Sequence, residues 1–153
     1  MLSGCVGGEK NTVYISGDIE CEVSFVLDKT SYRATVERRE NSVRITYIEP
    51  RALAGLTLLH EGENMSAELD GIEINDGIDG LFEIEKFFEY DTQVVSSDLE
   101  GNIEQIKLER TTGEGFYVQM VDGEPIAIVG ELCGERREIR LIRAVGDMLR
   151  EIR

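Results

Sequence analysis

The chain has 153 residues, enough for one domain with a genuine core, and its 41% apolar content is ordinary for a soluble globular protein. Its 31 acidic residues against 16 basic ones give a formal charge of −15. Such a field repels phosphate backbones and anionic headgroups, which disfavours nucleic-acid binding and electrostatic docking on membranes. Outside the first few residues no apolar run approaches the roughly 18–20 residues that a transmembrane helix needs.

The first element is Leu2-Ser3-Gly4-Cys5, which reads as a lipobox. Small residues at the two positions before the cysteine let a membrane-embedded peptidase reach the bond, and the thiol carries the diacylglycerol. Cys5 is therefore the expected lipidation site. The charged and apolar segments of a signal peptide do not precede it in these 153 residues, so a chain made from Met1 is expected to be unlipidated and soluble, with Cys5 a free thiol. Residues 1–11, lipobox plus the Gly-containing stretch Val6 to Asn11, form a tether. Residues 12–153 form a single domain.

Apolar residues then occupy every second position: Val13, Ile15, Gly17, Ile19, Cys21, Val23, Phe25 and Leu27. That is a long strand with one buried face, bending near Gly17. A turn at Asp28-Lys29-Thr30 leads to Tyr32, Ala34 and Val36. The charged run Glu37-Arg38-Arg39-Glu40 and a turn at Asn41-Ser42 follow, before Val43, Ile45 and Tyr47 resume the alternation. Connections this short make an antiparallel meander. Pro50 ends the strand, Leu56 to His60 is the next, and Met65, Ala67 and Leu69 lead through the tight Asp70-Gly71 turn to Ile72 and Ile74.

The period changes at Ile78. Leu81, Phe82, Ile84, Phe87 and Phe88 recur near helical spacing, and Asp79 can cap a helix over 79–90 that extends or restarts through Val94 and Val95. The aromatic residues Phe82, Phe87, Phe88 and Tyr90 fit the core face of that helix or the gate of an apolar cavity. Strands return at Ile103 to Arg110, Gly115 to Val121, Pro125 to Leu132 and Arg137 to Val145, with turns at Asp122-Gly123-Glu124 and Cys133-Gly134-Glu135. The last segment also fits a helical face through Ile139, Ile142, Val145, Leu149 and Ile152. Gly146 and the preceding hairpin turn favour a strand through Ala144. The six arginines from Arg136 to Arg153 make this end locally basic, as expected of a solvated strand face offsetting acidic neighbours. The fold class is α+β and mostly antiparallel β: a curved meander sheet, or half-barrel, with one helix inserted between two groups of strands.

Catalytic signals are weak. His60 is the only histidine, flanked by leucine and glutamate on a predicted strand, which is usually a structural setting, and no Ser or Cys lies in a nucleophile-elbow context. One histidine and three scattered cysteines lack zinc-site spacing. Aligned as a calcium loop, Asn75 to Gly80 would place Lys86 where the bidentate glutamate belongs, so no metal and no cofactor are expected. Acidic pairs are too common here for sequence proximity to mark a glycosidase site. If Cys5 is lipidated, Cys21 and Cys133 are free to pair, but a buried free thiol suits Cys21 equally well.

Two stretches carry a family resemblance. Val43-Arg44-Ile45-Thr46-Tyr47-Ile48-Glu49-Pro50 is a strand ending in proline before the next meander strand. Tyr117 to Ile126 is a strand, a turn through Gly123 and Pro125, and a return strand. With the cysteine at the start and the helix in the middle, the chain resembles the LolA/LolB-like superfamily of bacterial lipoprotein-sorting and lipid-binding envelope lipoproteins (LppX/LprG-type). It departs from that pattern in lacking a helix before the first strand, and no position matches the family's cavity arginine. The resemblance implies an unclosed curved sheet holding acyl chains in an apolar cavity without catalysis, in a bacterial extracytoplasmic lipoprotein. Strand and helix phase place Phe25, Val36, Ile45, Phe87, Phe88, Phe116 and Val118 around such a cavity. The expected partners are an apolar or lipid-like ligand and, through lipidated Cys5 only, the membrane. The alternative is a lipid-anchored interaction module with a solid core and an acidic partner-binding face. A carboxylate enzyme acting on cell-wall glycans would need two carboxylates converging in a cleft.

Overall fold

The computed structural model describes residues 18–75, 83–89 and 92–145, with 143–145 described by backbone alone. Cys5 and the lipobox, the start of the first alternating stretch, Asp79, Leu81, Phe82, Tyr90, Leu149 and Ile152 lie outside the described residues.

Eleven antiparallel strands form one curved, unclosed sheet. They are β1 (Ile19–Leu27), β2 (Thr30–Arg39), β3 (Ser42–Glu49), β4 (Thr57–Glu61), β5 (Asn64–Leu69), β6 (Ile72–Glu73), β7 (Thr92–Glu100), β8 (Ile103–Arg110), β9 (Gly115–Val121), β10 (Glu124–Leu132) and β11 (Glu135–Val145). The spatial order is β6-β5-β4-β3-β2-β1-β11-β10-β9-β8-β7, two meanders joined where the first strand meets the last. The hairpin turns explain the register. Asp70-Gly71, Asp122-Gly123 and Cys133-Gly134 all have positive φ at both positions, the two-residue turn whose twist matches that of paired strands.

Alternation along the strands produces the inward face. Val43, Ile45 and Tyr47 on β3 and Phe116, Val118 and Met120 on β9 are buried, with less buried residues between them. These two strands are separated in the sheet by β2, β1, β11 and β10, yet their inward residues belong to one apolar cluster. The inward residues of the intervening strands, and the short segment around Phe87 and Phe88, link them.

Two short 3₁₀ helices complete the described structure: η1 (Arg51–Leu53) and η2 (Glu83–Phe88). η2 is where a longer helix over 79–90 is expected. The described part is a six-residue 3₁₀ segment with Ile84, Glu85, Phe87 and Phe88 buried. Val94 and Val95 lie on an edge strand instead of a helical extension. β7 pairs with β8 from Thr92 to Glu100, and β-branched and polar residues with no helical stripe suit that exposed ribbon better. The basic segment from Glu135 to Val145 is a strand. Cys21 is buried, Cys133 is exposed, and both are free thiols.

Candidate functional site

The inward face of the sheet and the η2 segment that closes it form the candidate site. Phe25 (β1), Val36 (β2), Ile45 (β3), Phe116 and Val118 (β9), and Phe87 and Phe88 (η2) are all buried in the same apolar cluster. Within it they fall into two aromatic groups. Phe25 stacks on Tyr32 at a centroid distance of 5.3 Å and meets Tyr47 edge-on at 6.5 Å. Phe87 meets Phe116 edge-on at 5.0 Å and lies over Gly130 of β10, whose missing side chain makes room for the ring. A six-residue 3₁₀ segment does not hold itself. Burial of each phenylalanine, worth roughly 1.5–3 kcal/mol, is the main force keeping η2 in place.

Polar contacts at its rim and beneath it fix where it sits. The Arg38 guanidinium donates to the Phe88 carbonyl at 3.3 Å, Lys86 Nζ lies 2.6 Å from Glu114, and Arg110 lies 2.8 Å from Glu89. The Cys133 amide donates to Glu83 at 2.8 Å. Arg38 is completely buried. A charge in that position requires partners, because a bare guanidinium in an apolar interior would be far too costly. The alternation Tyr32, Ala34, Val36 puts Arg38 on the inward phase, and that parity is the signal by which the charged run Glu37 to Glu40 could have been read differently.

His60 of β4 hydrogen-bonds through Nδ1 to Glu85 of η2, with Glu89 3.9 Å from the same nitrogen. Their donor atoms lie within 4.8 Å of one another, beside an open cavity of about 200 Å³ lined in part by Asn41, Ser42 and Gly62. Burial, followed by the neighbouring Glu89, pushes the Glu85 carboxyl up to about 7, although His60 opposes the shift. Burial works against charge on His60 too, but the hydrogen bond and charge of Glu85 outweigh it and raise its pKa. One imidazole and two carboxylates are a donor set suited to a divalent cation. Here Glu85 is engaged by His60 and Glu89 by Arg110, so the arrangement already works as a proton-holding hydrogen-bond network between β4 and η2. The sequence pattern assigns His60 a structural role and gives no pointer to Glu85, a residue set among helix aromatics 25 positions away.

No protein-family model matches the chain, and no curated protein matches it either. Solved structures do. An uncharacterized conserved protein from Thermus thermophilus superposes with a TM-score of 0.54 at 10% identity, over 94% of this chain and 86% of that one. MucB superposes with a TM-score of 0.54 at 8% identity, over 96% of this chain, which spans only 60% of MucB. A LolA superfamily protein from Nitrosomonas europaea superposes with a TM-score of 0.50 at 11% identity, over 89% of this chain and 90% of that one. The fold is therefore LolA-like, as the two meander stretches implied.

Proposed function

We propose that the chain is a non-enzymatic, extracytoplasmic bacterial lipoprotein, anchored through Cys5, that binds an apolar or lipid-like ligand between the inward face of its half-barrel and η2. One observation carries this: the segment closing the inward face lies outside the strand ladder and contributes Phe87 and Phe88 to the interior, held there by their burial, by the buried Arg38 and by Lys86 and Arg110 at its edge. Movement of this segment off the sheet would admit the ligand. The surface it would uncover is the apolar face bearing Val36, Ile45, Phe116 and Val118, with Phe25 beyond. The superposition on a LolA superfamily protein supports the same direction. A fluorescent fatty-acid probe should bind the purified domain and be displaced by unlabelled fatty acid, and solvent extraction should release acyl material. A domain that neither binds the probe nor carries such material is not a lipid binder. Anchoring is tested separately, by incorporation of a fatty-acid analogue into the full-length gene product and its loss in Cys5→Ala.

The continuous packing of the interior favours a second reading, a lipid-anchored interaction module whose acidic surface meets a basic partner. A pull-down whose yield falls as salt rises distinguishes it, since screening weakens exposed charge pairs and leaves an apolar ligand bound.

A further inference from the structure

The seam where the two meanders meet is incomplete. β1 and β11 are neighbours, and their pairing runs from Glu20↔Val145 to Ser24↔Arg140, then stops. Beyond that point β1 continues to Leu27 paired with β2, and β11 runs back to Glu135 paired with β10. The strands part, and the split leaves an open cleft of about 340 Å³.

The chemistry of its walls is divided. Arg136, Arg137 and Arg140 line it from β11, with Glu138 the one acidic residue among them. Arg137 Nη2 lies 2.6 Å from Glu135, while its Nε is shielded from solvent and has no hydrogen-bond partner. Arg136 lies 5.8 Å over the Tyr117 ring. From β1 come Ser24, the half-exposed Val26, and Phe25, whose ring belongs to the apolar interior. Three arginines therefore stand beside Val26 and the edge of the apolar interior at Phe25, in a protein whose overall charge is −15. An anion reaching this cleft would meet guanidinium groups whose fork geometry suits carboxylate and phosphate oxygens.

We propose that the β1/β11 cleft binds the anionic head, carboxylate or phosphate, of an amphiphilic ligand whose apolar part runs inward past Phe25. The proposal deepens the apolar-ligand reading and rests on it for the tail, while the head site stands on the arginines alone.

Calorimetric titration of the whole chain with three probes below their micelle concentrations tests it: monodecyl phosphate, neutral decyl maltoside and inorganic phosphate. Monodecyl phosphate should bind most tightly, and Arg137→Gln and Arg140→Gln should each weaken it by roughly tenfold with little effect on the maltoside. Val26→Asp, which sets an anion on the opposite wall at an exposed position, should weaken it in the same direction without touching an arginine. Circular dichroism identifies any variant that fails to fold. If inorganic phosphate binds as tightly as monodecyl phosphate and loses that binding in Arg137→Gln, the head site stands and the apolar tail falls. If amphiphiles bind equally well to wild type and to all three variants, the cleft is not the head site, although an apolar ligand remains. If none of the probes binds, both proposals fail.

Discussion

Gly130 of β10 lies directly beneath the ring of Phe87: a Cβ built on it would stand 2.7 Å from Phe87 Cε1 and 3.0 Å from Phe116 Cβ. The strand gives up a side chain so that the closing segment can seat its aromatic ring on the sheet. Gly130→Ala is expected to destabilise the protein by about 1–3 kcal/mol in urea denaturation, the usual penalty for an extra carbon in a packed core. Phe87→Leu should relieve part of that penalty, so that the double variant is less destabilised than the sum of the two. Additive losses would show that the two positions do not interact.

Stability should fall as pH rises from 5 to 8. The folded Glu85 carboxyl keeps its proton up to about 7, against an ordinary value of 4.5, and His60 is also raised. The folded state thus holds more protons than the unfolded state across this range. The two groups titrate as a pair, whose contribution is complete at the low end of this range and is lost as pH rises through the folded values. Thermal midpoints measured at pH 5.5 and pH 8 should differ accordingly. Glu85→Gln, which keeps the side-chain shape but cannot ionise, should flatten most of the slope.

Among the described residues Arg38 is the largest fully buried side chain, and it reaches the Phe88 carbonyl. Arg38→Ala should cost roughly 2–4 kcal/mol, through the space it leaves in the core and the loss of a donor to η2. Amide hydrogen exchange should locate the effect. Protection is expected to drop first in η2 and in β3, β9 and β10, which pack against it. A uniform loss of protection would show that Arg38 supports the sheet as a whole and not the closing segment.

The two described thiols should react very differently. In a Cys5→Ser background, a thiol reagent should modify Cys133 in the native protein, but slowly, because partial burial and the nearby Glu83 raise its pKa. Cys21 is buried and pushed up to about 12, first by desolvation, so it should react only on unfolding. Rapid native modification of both would mean that the inward face opens readily.

Period-two alternation and turn chemistry make most of the sheet legible. Val43-x-Ile45-x-Tyr47 and Phe116-x-Val118-x-Met120 each state which phase points inward, and Asp70-Gly71 and Asp122-Gly123 state where the chain reverses. These are local properties, written in consecutive residues. Val94 and Val95 are harder because β7 is an edge strand, exposed along nearly its whole length, and carries no alternation to read.

The strand pattern, the choice of inward residues and the Leu2-Ser3-Gly4-Cys5 motif are thus written in the order of amino acids, since each depends only on neighbours in the chain. The burial of Arg38 against the Phe88 carbonyl, the meeting of His60 and Glu85 across 25 residues, and the parting of β1 and β11 beyond Ser24 emerge only once the chain has folded. Those relationships depend on the curvature of the sheet and on where its first and last strands meet. No local period encodes either, because both arise from packing between segments far apart in the chain.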